Sequence, residues 1–176
     1  MAAPEPSARL AKIHVHTLGR ALGLRNRALV RVVSGFGLDA TCAPLMPWIP
    51  AIELVWMLDR TDRERQWVLR LVSERHGSLG ARAEVLLHEW LANRPSDVVF
   101  RTARRVLCAQ LANLPPEERP ALRARVIGPC AALAVVSGRL LARTSEPVDA
   151  YLWLLALADN LLLSDESILI PSAAFS

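Results

Sequence analysis

The sequence predicts an all-α fold, a single-domain bundle of about six to seven helices that includes a basic N-terminal helix. Three observations predict it. Apolar residues recur every three or four positions along most of the chain, which is the spacing of one helix face. Capping residues, prolines and glycines divide this pattern into segments of helical length. The chain contains no stretch of alternating apolar and polar residues that would indicate a strand.

The most apolar stretch, residues 50–58, is expected to form the central helix of the bundle. Between Ala51 and Leu58 only Glu53 is polar. A helix that is apolar on all sides is buried among neighbouring helices. Pro50 suits the first turn, where its missing N–H is not needed. Glu53, if buried, needs a partner or a raised pKa, and a hydrogen bond to a tryptophan or to a helix end would be sufficient.

The N-terminal segment is basic. Residues 7–38 contain no acid and six cations, which are Arg9, Lys12, Arg20, Arg25, Arg27 and Arg31. Ser7 suits the N-cap of a helix that runs on through Val33, although Gly19 and Gly23 weaken it. Such a helix either docks on an acidic protein, an anionic lipid surface or nucleic acid, or packs its apolar stripe on the body and solvates its arginines. No aromatic side chain interleaves with these arginines, which argues against nucleic acid.

Five further helices are predicted after the central one, each bounded by local signals. Thr61 and Glu64 have the capping-box spacing, and Gly77 suits the C′ position of the same helix. Pro129 is expected to kink the helix that contains it. The predicted helices span residues 62–76, 78–92, 96–114, 117–137 and 148–163. The chain is accordingly divided into a basic amphipathic extension (1–40), a helical domain (41–164) and a loose tail (165–176).

Composition limits the class of protein. The chain has 176 residues, of which 52% are apolar, enough for one packed domain. No uninterrupted apolar run reaches the roughly 18 to 20 residues of a transmembrane helix. Histidines and arginines interrupt the apolar clusters near Met1, so no signal peptide is expected. The three cysteines are widely spaced and form no metal-type pair, and a cytoplasmic protein is the simplest interpretation.

Carboxylates gather around the end of the central helix and form a candidate metal site. Glu53, Asp59, Asp62 and Glu64 offer the oxygen ligands that hard divalent cations prefer. Acids at a helix start also stabilise the helix dipole and pair with nearby arginines, which is the alternative. No cofactor is predicted other than a divalent metal ion at this turn. Glu84 and His88, four residues apart on one helix, give a weaker signal for a metal or acid–base pair.

Two blocks of sequence carry a resemblance to a known family. Residues 86–95 read Leu-Leu-His-Glu-Trp-Leu-Ala-Asn-Arg-Pro, and residues 111–119 read Leu-Ala-Asn-Leu-Pro-Pro-Glu-Glu-Arg. They resemble the Leu-Leu-x-x-Trp-Leu helix, the Arg-Pro or Lys-Pro break and the Leu-x-Pro-Glu-Glu-Arg motif of bacterial proteins of the TerB-like (tellurite-resistance B type) fold. Residues 53–56, Glu-Leu-Val-Trp, are similar to the first core helix of that group. The resemblance covers roughly residues 45–163.

The resemblance implies a non-enzymatic helical protein linked to tellurite resistance, stress or the cell envelope. It also implies metal binding at the turn after the first core helix. There the family has Ala-Asp-Gly and an apolar residue, whereas residues 58–64 read Leu-Asp-Arg-Thr-Asp-Arg-Glu, with arginines that compete for the carboxylates. We therefore expect an interaction module that docks an acidic partner through its basic N-terminal helix. The alternatives are a metal-binding protein and a peripheral binder of anionic membranes.

Overall fold

The structure is a computed structural model, and it describes residues 6–57, 62–76, 79–141, 156–157 and 159, without the side chains of residues 6–12, 63–64, 73, 75–76 and 134–141. All regular structure in these residues is helical, which confirms the all-α class. The α-helices are α1 (Pro6–Ala21), α2 (Arg27–Gly35), α3 (Ile49–Met57), α4 (Asp62–His76), α5 (Ala81–Ala92), α6 (Asp97–Asn113) and α7 (Arg119–Leu141), and a 3₁₀ helix spans Ala40–Trp48. The predicted turn 59–61 and tail 165–176, and nearly all of the predicted helix 148–163, lie outside the described residues.

Helix α3 is the centre of the bundle. It contacts the 3₁₀ helix and each of the helices α4 to α7. Ile52, Leu54 and Val55 have no exposed surface. Trp56 is partly buried, and its indole N–H donates to the backbone carbonyl of Trp90 at 2.8 Å. The enclosure predicted for this helix is therefore confirmed for its apolar side chains up to Val55, whereas Met57 at its C-terminal end is 43% exposed.

The N-terminal segment forms two helices rather than the single one that was predicted. Helix α1 ends because Gly23 adopts a positive φ of 63°, which suits glycine at the C′ position. The N–H of Gly23 bonds to the carbonyl of Arg20, and the N–H of Leu24 bonds to the carbonyl of Gly19, which together make a Schellman motif. Asn26 then caps α2, because its side chain accepts from the N–H groups of residues 28 and 29 at 3.0 and 3.1 Å.

These two helices belong to the main core. Helix α1 packs on α2 and on the 3₁₀ helix, and α2 packs on α6. The buried apolar side chains of the segment are Leu18, Leu22, Leu24, Val30, Val33 and Leu38. Gln110 and Asn113 of α6 donate to the carbonyls of Leu22 and Gly23 at 2.8 and 3.0 Å. Buried residues on both sides of the predicted boundary at residue 40 therefore belong to one hydrophobic core.

The 3₁₀ helix leads directly into α3 and is built around regularly spaced prolines. Pro44 and Pro47 lie inside it, and Pro50 follows at the same three-residue spacing, which matches three residues per turn. Cys42, Leu45, Met46 and Trp48 are buried. The run Ala40–Met57 is long and apolar enough to span a membrane, but 56% of it is buried in this fold. A core helix has the same composition, so this run is weak support for a membrane span.

Asp39 holds the start of the 3₁₀ helix. Its carboxylate accepts from the backbone N–H groups of Thr41 (2.9 Å) and Cys42 (3.2 Å) and from the Thr41 hydroxyl. The Thr41 hydroxyl bond is the largest of the effects that lower the pKa of Asp39 below 3.8. This arrangement is an N-cap, and it fixes the chain at the connection between α2 and the 3₁₀ helix.

We expect Asp39→Ala to lower the free energy of unfolding by about 1 kcal/mol, because two backbone donors lose their acceptor. The loss of unfolding free energy should be greatest above pH 4 and should shrink as the pH falls through the native pKa of Asp39. A carboxylate with a lowered pKa stabilises the folded state only while it is ionised. Urea denaturation at several pH values measures it. Asp39→Asn is the matched control, since asparagine caps almost as well as aspartate. Equal losses in both variants would contradict the capping role.

The later helices follow their predicted bounds closely. Helix α4 spans the predicted residues, and α6 ends before the predicted break at Leu114. Helix α5 begins at Ala81 rather than at Ser78, because Gly80 has a φ of 89° that a helix excludes. Ser96 occupies the N-cap position of α6 without a side-chain bond to the helix. Helix α7 continues through Pro129, and the predicted kink there stays a prediction.

Candidate functional site

A nearly buried ion pair lies between α3 and α6. The Arg104 guanidinium donates through Nη1 to both carboxylate oxygens of Glu53, at 2.7 Å each. The Glu53 side chain is 13% exposed and that of Arg104 is 25% exposed. Glu53 is the polar residue in an otherwise apolar helix, and the chain brings its partner from 51 positions away. The predicted need for a partner is met by an arginine rather than by a tryptophan or a helix end.

Other charges surround this pair. Burial is the main effect on the pKa of Glu53 and raises it above 4.5, while the charge of Arg104 opposes that rise. Asp97 raises the pKa of Glu53 further and Arg94 lowers it, and these two residues form their own salt bridge at 2.6 Å. The Arg94 guanidinium also lies 5.9 Å from the ring centre of Phe100. The result is a network of alternating charges along the start of α6.

The four carboxylates of the predicted metal site have different environments. Both oxygens of Glu53 are bonded to Arg104. The Asp62 side chain is 97% exposed and lies 3.7 Å from Arg65. Asp59 and the side chain of Glu64 lie outside the described residues. Among the residues that are described, no group of three or more His, Cys, Asp or Glu side chains is placed to hold a metal ion.

The thiols are poor nucleophiles. Burial raises the pKa of Cys42 and Cys108, and it raises that of Cys130 to about 12, with a further contribution from the negative charge of Glu53. A thiol with a raised pKa is protonated at neutral pH and does not attack. The Cys130 thiol instead donates to the carbonyl of Val126 at 3.3 Å. The arrangement favours a packing role for these side chains.

Polar side chains from three elements line an open groove of about 660 Å³ beside α1. They are His14, Thr17, Ser34, Asp39 and Thr41. The carboxylate is committed to capping the 3₁₀ helix and has a lowered pKa, so it is a weak base. Glu84 and His88, the weaker predicted pair, lie on α5, with Glu84 partly buried and His88 exposed. Neither arrangement shows a base positioned against a nucleophile within the described part of the chain.

The predicted partner-binding cations lie on the surface. Arg20, Arg25, Arg27 and Arg31 are exposed, while the side chains of Arg9 and Lys12 lie outside the described residues. Most of the apolar stripe of the same segment is buried, although Ile13 and Val32 are 56% and 47% exposed, so the arginines are held on a packed scaffold. The structure therefore agrees with the packing interpretation, and docking through these cations stays a prediction. The stripe packs on the body, and a set of cations faces outwards.

Arg104 is the residue that the sequence analysis missed. Its neighbours four positions away on α6, Phe100 and Cys108, are a buried aromatic residue and a partly buried thiol. Residues four apart lie on one face of a helix, so a cation between these two falls at the edge of the buried face. That spacing was the signal for a partly buried arginine and hence for a partner to Glu53.

Comparison of the chain with protein-family models, with curated proteins and with solved structures finds no match. The resemblance of residues 45–163 to TerB-like proteins therefore remains a prediction that rests on the two motif blocks. The exposed arginines of the N-terminal helices and the pair between Glu53 and Arg104 are the features that bear on function.

Proposed function

We propose that this protein is a non-enzymatic helical interaction module of the TerB-like kind, which docks an acidic partner through the arginines of α1 and α2. The N-terminal arginine face is defined as Arg20, Arg25, Arg27 and Arg31. Exposed cations on helices that carry no acid create a local positive potential, and such a potential steers anionic partners.

The placement of these four side chains is the observation that carries the proposal. All four are exposed, Arg20 on α1, Arg27 and Arg31 on α2 and Arg25 in the connection between them, and the opposite side of both helices is packed into the core. No Asp or Glu occurs between residues 6 and 38. Within the described part of the chain, none of the four forms a salt bridge. Cations that are not needed for folding are free to bind a partner.

The interior of the protein supports the same proposal. The pair between Glu53 and Arg104 is nearly buried and the thiols of Cys42 and Cys130 are buried, whereas the N-terminal arginine face is on the surface. Free cysteines are also typical of a reducing cytoplasm, which is the location we propose.

We expect the double substitution R27E/R31E to weaken binding to a polyanion, with heparin as the probe. At an ionic strength of 0.15 M, exposed charges act over about 8 Å, so the reversal of two charges at the docking face should reduce affinity by about tenfold or more. Elution from a heparin column in a salt gradient measures this. The stability of the variant should stay near that of the wild type, because both side chains are exposed.

The matched control is R70E/R125E, which changes the formal charge by the same amount at exposed positions on α4 and α7. It should elute at a clearly higher salt concentration than R27E/R31E. If both variants elute together, binding follows net charge alone, and the N-terminal arginine face is not the docking site.

A further inference from the structure

The exposed faces of α2 and α6 have an unusual composition. On α2 the exposed residues are Arg27, Ala28, Arg31, Val32 and Gly35, and on α6 they are Asp97, Val98, Arg101, Arg105, Ala112 and Asn113. Apart from the two residues at the ends of α6, this set contains only arginine, valine, alanine and glycine. No Asp or Glu occurs in residues 6–38 or 98–116. A solvated helix face normally mixes acids with bases and other polar side chains.

Helices α2 and α6 pack on each other, and each exposes two arginines. On α6 these are Arg101 and Arg105, four residues apart on one side of the helix. Asn113, at the C-terminal end of α6, donates to the carbonyl of Gly23, so this end of α6 lies against the N-terminal segment. Helix α2 starts four residues after Gly23 and packs on α6. Arg104, which is partly buried, binds Glu53 of α3.

Each of the two helices also exposes an aliphatic side chain among its arginines. Val32 is 47% exposed and follows Arg31, while Val98 is 48% exposed and lies one turn before Arg101. The other exposed residues of the two helices are the small residues Ala28, Gly35 and Ala112, with Asp97 and Asn113 at the ends of α6. The pair of helices therefore presents cations and aliphatic groups together, and the acid among their exposed residues is Asp97 at the start of α6.

We propose that the α2–α6 face, defined as Arg27, Arg31 and Val32 of α2 with Val98, Arg101 and Arg105 of α6, binds the surface of an anionic lipid bilayer. This inference rests on the proposed function and names its acidic partner. Guanidinium groups bind phosphate oxygens in bidentate fashion. Aliphatic side chains on the same face enter the boundary between headgroups and acyl chains.

The valines decide between classes of polyanion. The phosphates of a nucleic acid would bind the arginines, but the two half-exposed valines would stay in contact with water. A bilayer uses both groups, because it offers phosphates at its surface and hydrocarbon directly beneath them. An anionic bilayer is therefore the partner that accounts for the whole face.

The test is co-sedimentation of the full-length protein with vesicles of phosphatidylcholine alone and with vesicles that contain phosphatidylglycerol. We expect binding to the anionic vesicles only, and weaker binding as salt is raised. R101Q/R105Q should reduce the partition coefficient by about twentyfold, as expected for two arginines near an anionic surface. R70Q/R125Q, which removes two arginines from other helices, should bind like the wild type.

A second variant isolates the aliphatic part of the face. V32S/V98S leaves every charge in place and should reduce vesicle partitioning by about tenfold, while its elution from heparin stays unchanged. Vesicle binding that is insensitive to this substitution overturns the inference, as does tighter binding to duplex DNA than to the vesicles.

The two proposals fail in distinguishable ways. If heparin binding depends on Arg27 and Arg31 but the wild type ignores anionic vesicles, the bilayer inference fails and the proposed function stands. If the protein binds neither heparin nor anionic vesicles, both fail.

Discussion

Deletion of residues 1–38 is expected to unfold the whole protein rather than to detach a docking element. The segment buries six apolar side chains against the 3₁₀ helix and α6, including Leu18, Leu22 and Val33. Its removal would uncover the apolar surface of both partners, and full burial of each large aliphatic side chain contributes about 1.5–3 kcal/mol. Against a typical total stability of about 5–15 kcal/mol, that loss leaves no folded state. Thermal unfolding followed by near-ultraviolet circular dichroism measures it.

Two point substitutions on α1 test the same claim without truncation. Leu22→Ala should lower the free energy of unfolding by about 2–5 kcal/mol, because Leu22 is 1% exposed. Ile13→Ala is the matched control on the same helix. Ile13 is 56% exposed, and its removal should change stability by less than about 0.5 kcal/mol. A cooperatively folded deletion variant, or equal costs for the two alanine variants, would show that the segment is dispensable for folding.

The parts of the fold that could be predicted from the sequence are those set by local signals. Helix α4 begins at Asp62 and ends at His76 as predicted, since caps and breakers act within a few residues. The central position of α3 could be predicted as well. A helix without a polar face has no stable place except between other helices.

The break between α1 and α2 could not be predicted from the spacing of the apolar residues. Apolar residues continue at helical spacing across it, and one glycine costs a helix only about 1 kcal/mol relative to alanine. The structure stops the helix at Gly23 because two carbonyls of α1 are capped there and Gln110 and Asn113 hold the turn against α6. Contacts from residues about ninety positions away hold this turn in place beside the local caps, and no local pattern contains these contacts.

The partner of Glu53 posed a similar problem. The requirement for a partner followed from one carboxylate in an apolar helix, but its identity depended on how α3 and α6 pack. The metal site was predicted from acids that are close in sequence. The structure pairs Glu53 of α3 with Arg104 and leaves Asp62, at the start of α4, 97% exposed, because the two acids belong to different helices with different neighbours.

Arg104→Met is expected to destabilise the protein by about 3 kcal/mol at pH 7. It removes the partner of a carboxylate that is only 13% exposed, and breaking a buried pair leaves an uncompensated charge. Burial already raises the pKa of Glu53 above 4.5, and without Arg104 the rise should be larger. A raised carboxylate pKa means that the unfolded state loses its proton first as pH increases. Stability therefore falls as pH rises above 4.5, and the deficit of the variant should disappear on acidification.

The sign of that pH dependence separates a charge effect from a packing effect. A deficit caused by lost packing of the Arg104 side chain would be the same at pH 7 and at pH 4.5, whereas an unpaired Glu53 is relieved when it is protonated. E53Q/R104M should restore most of the loss at pH 7, because neither side chain then carries a charge. Arg105→Met, at the next, exposed position of α6, should leave stability unchanged at both pH values. Urea denaturation of the wild type and the three variants at the two pH values measures these differences. If the loss of stability in Arg104→Met does not change with pH, packing rather than charge makes this pair necessary.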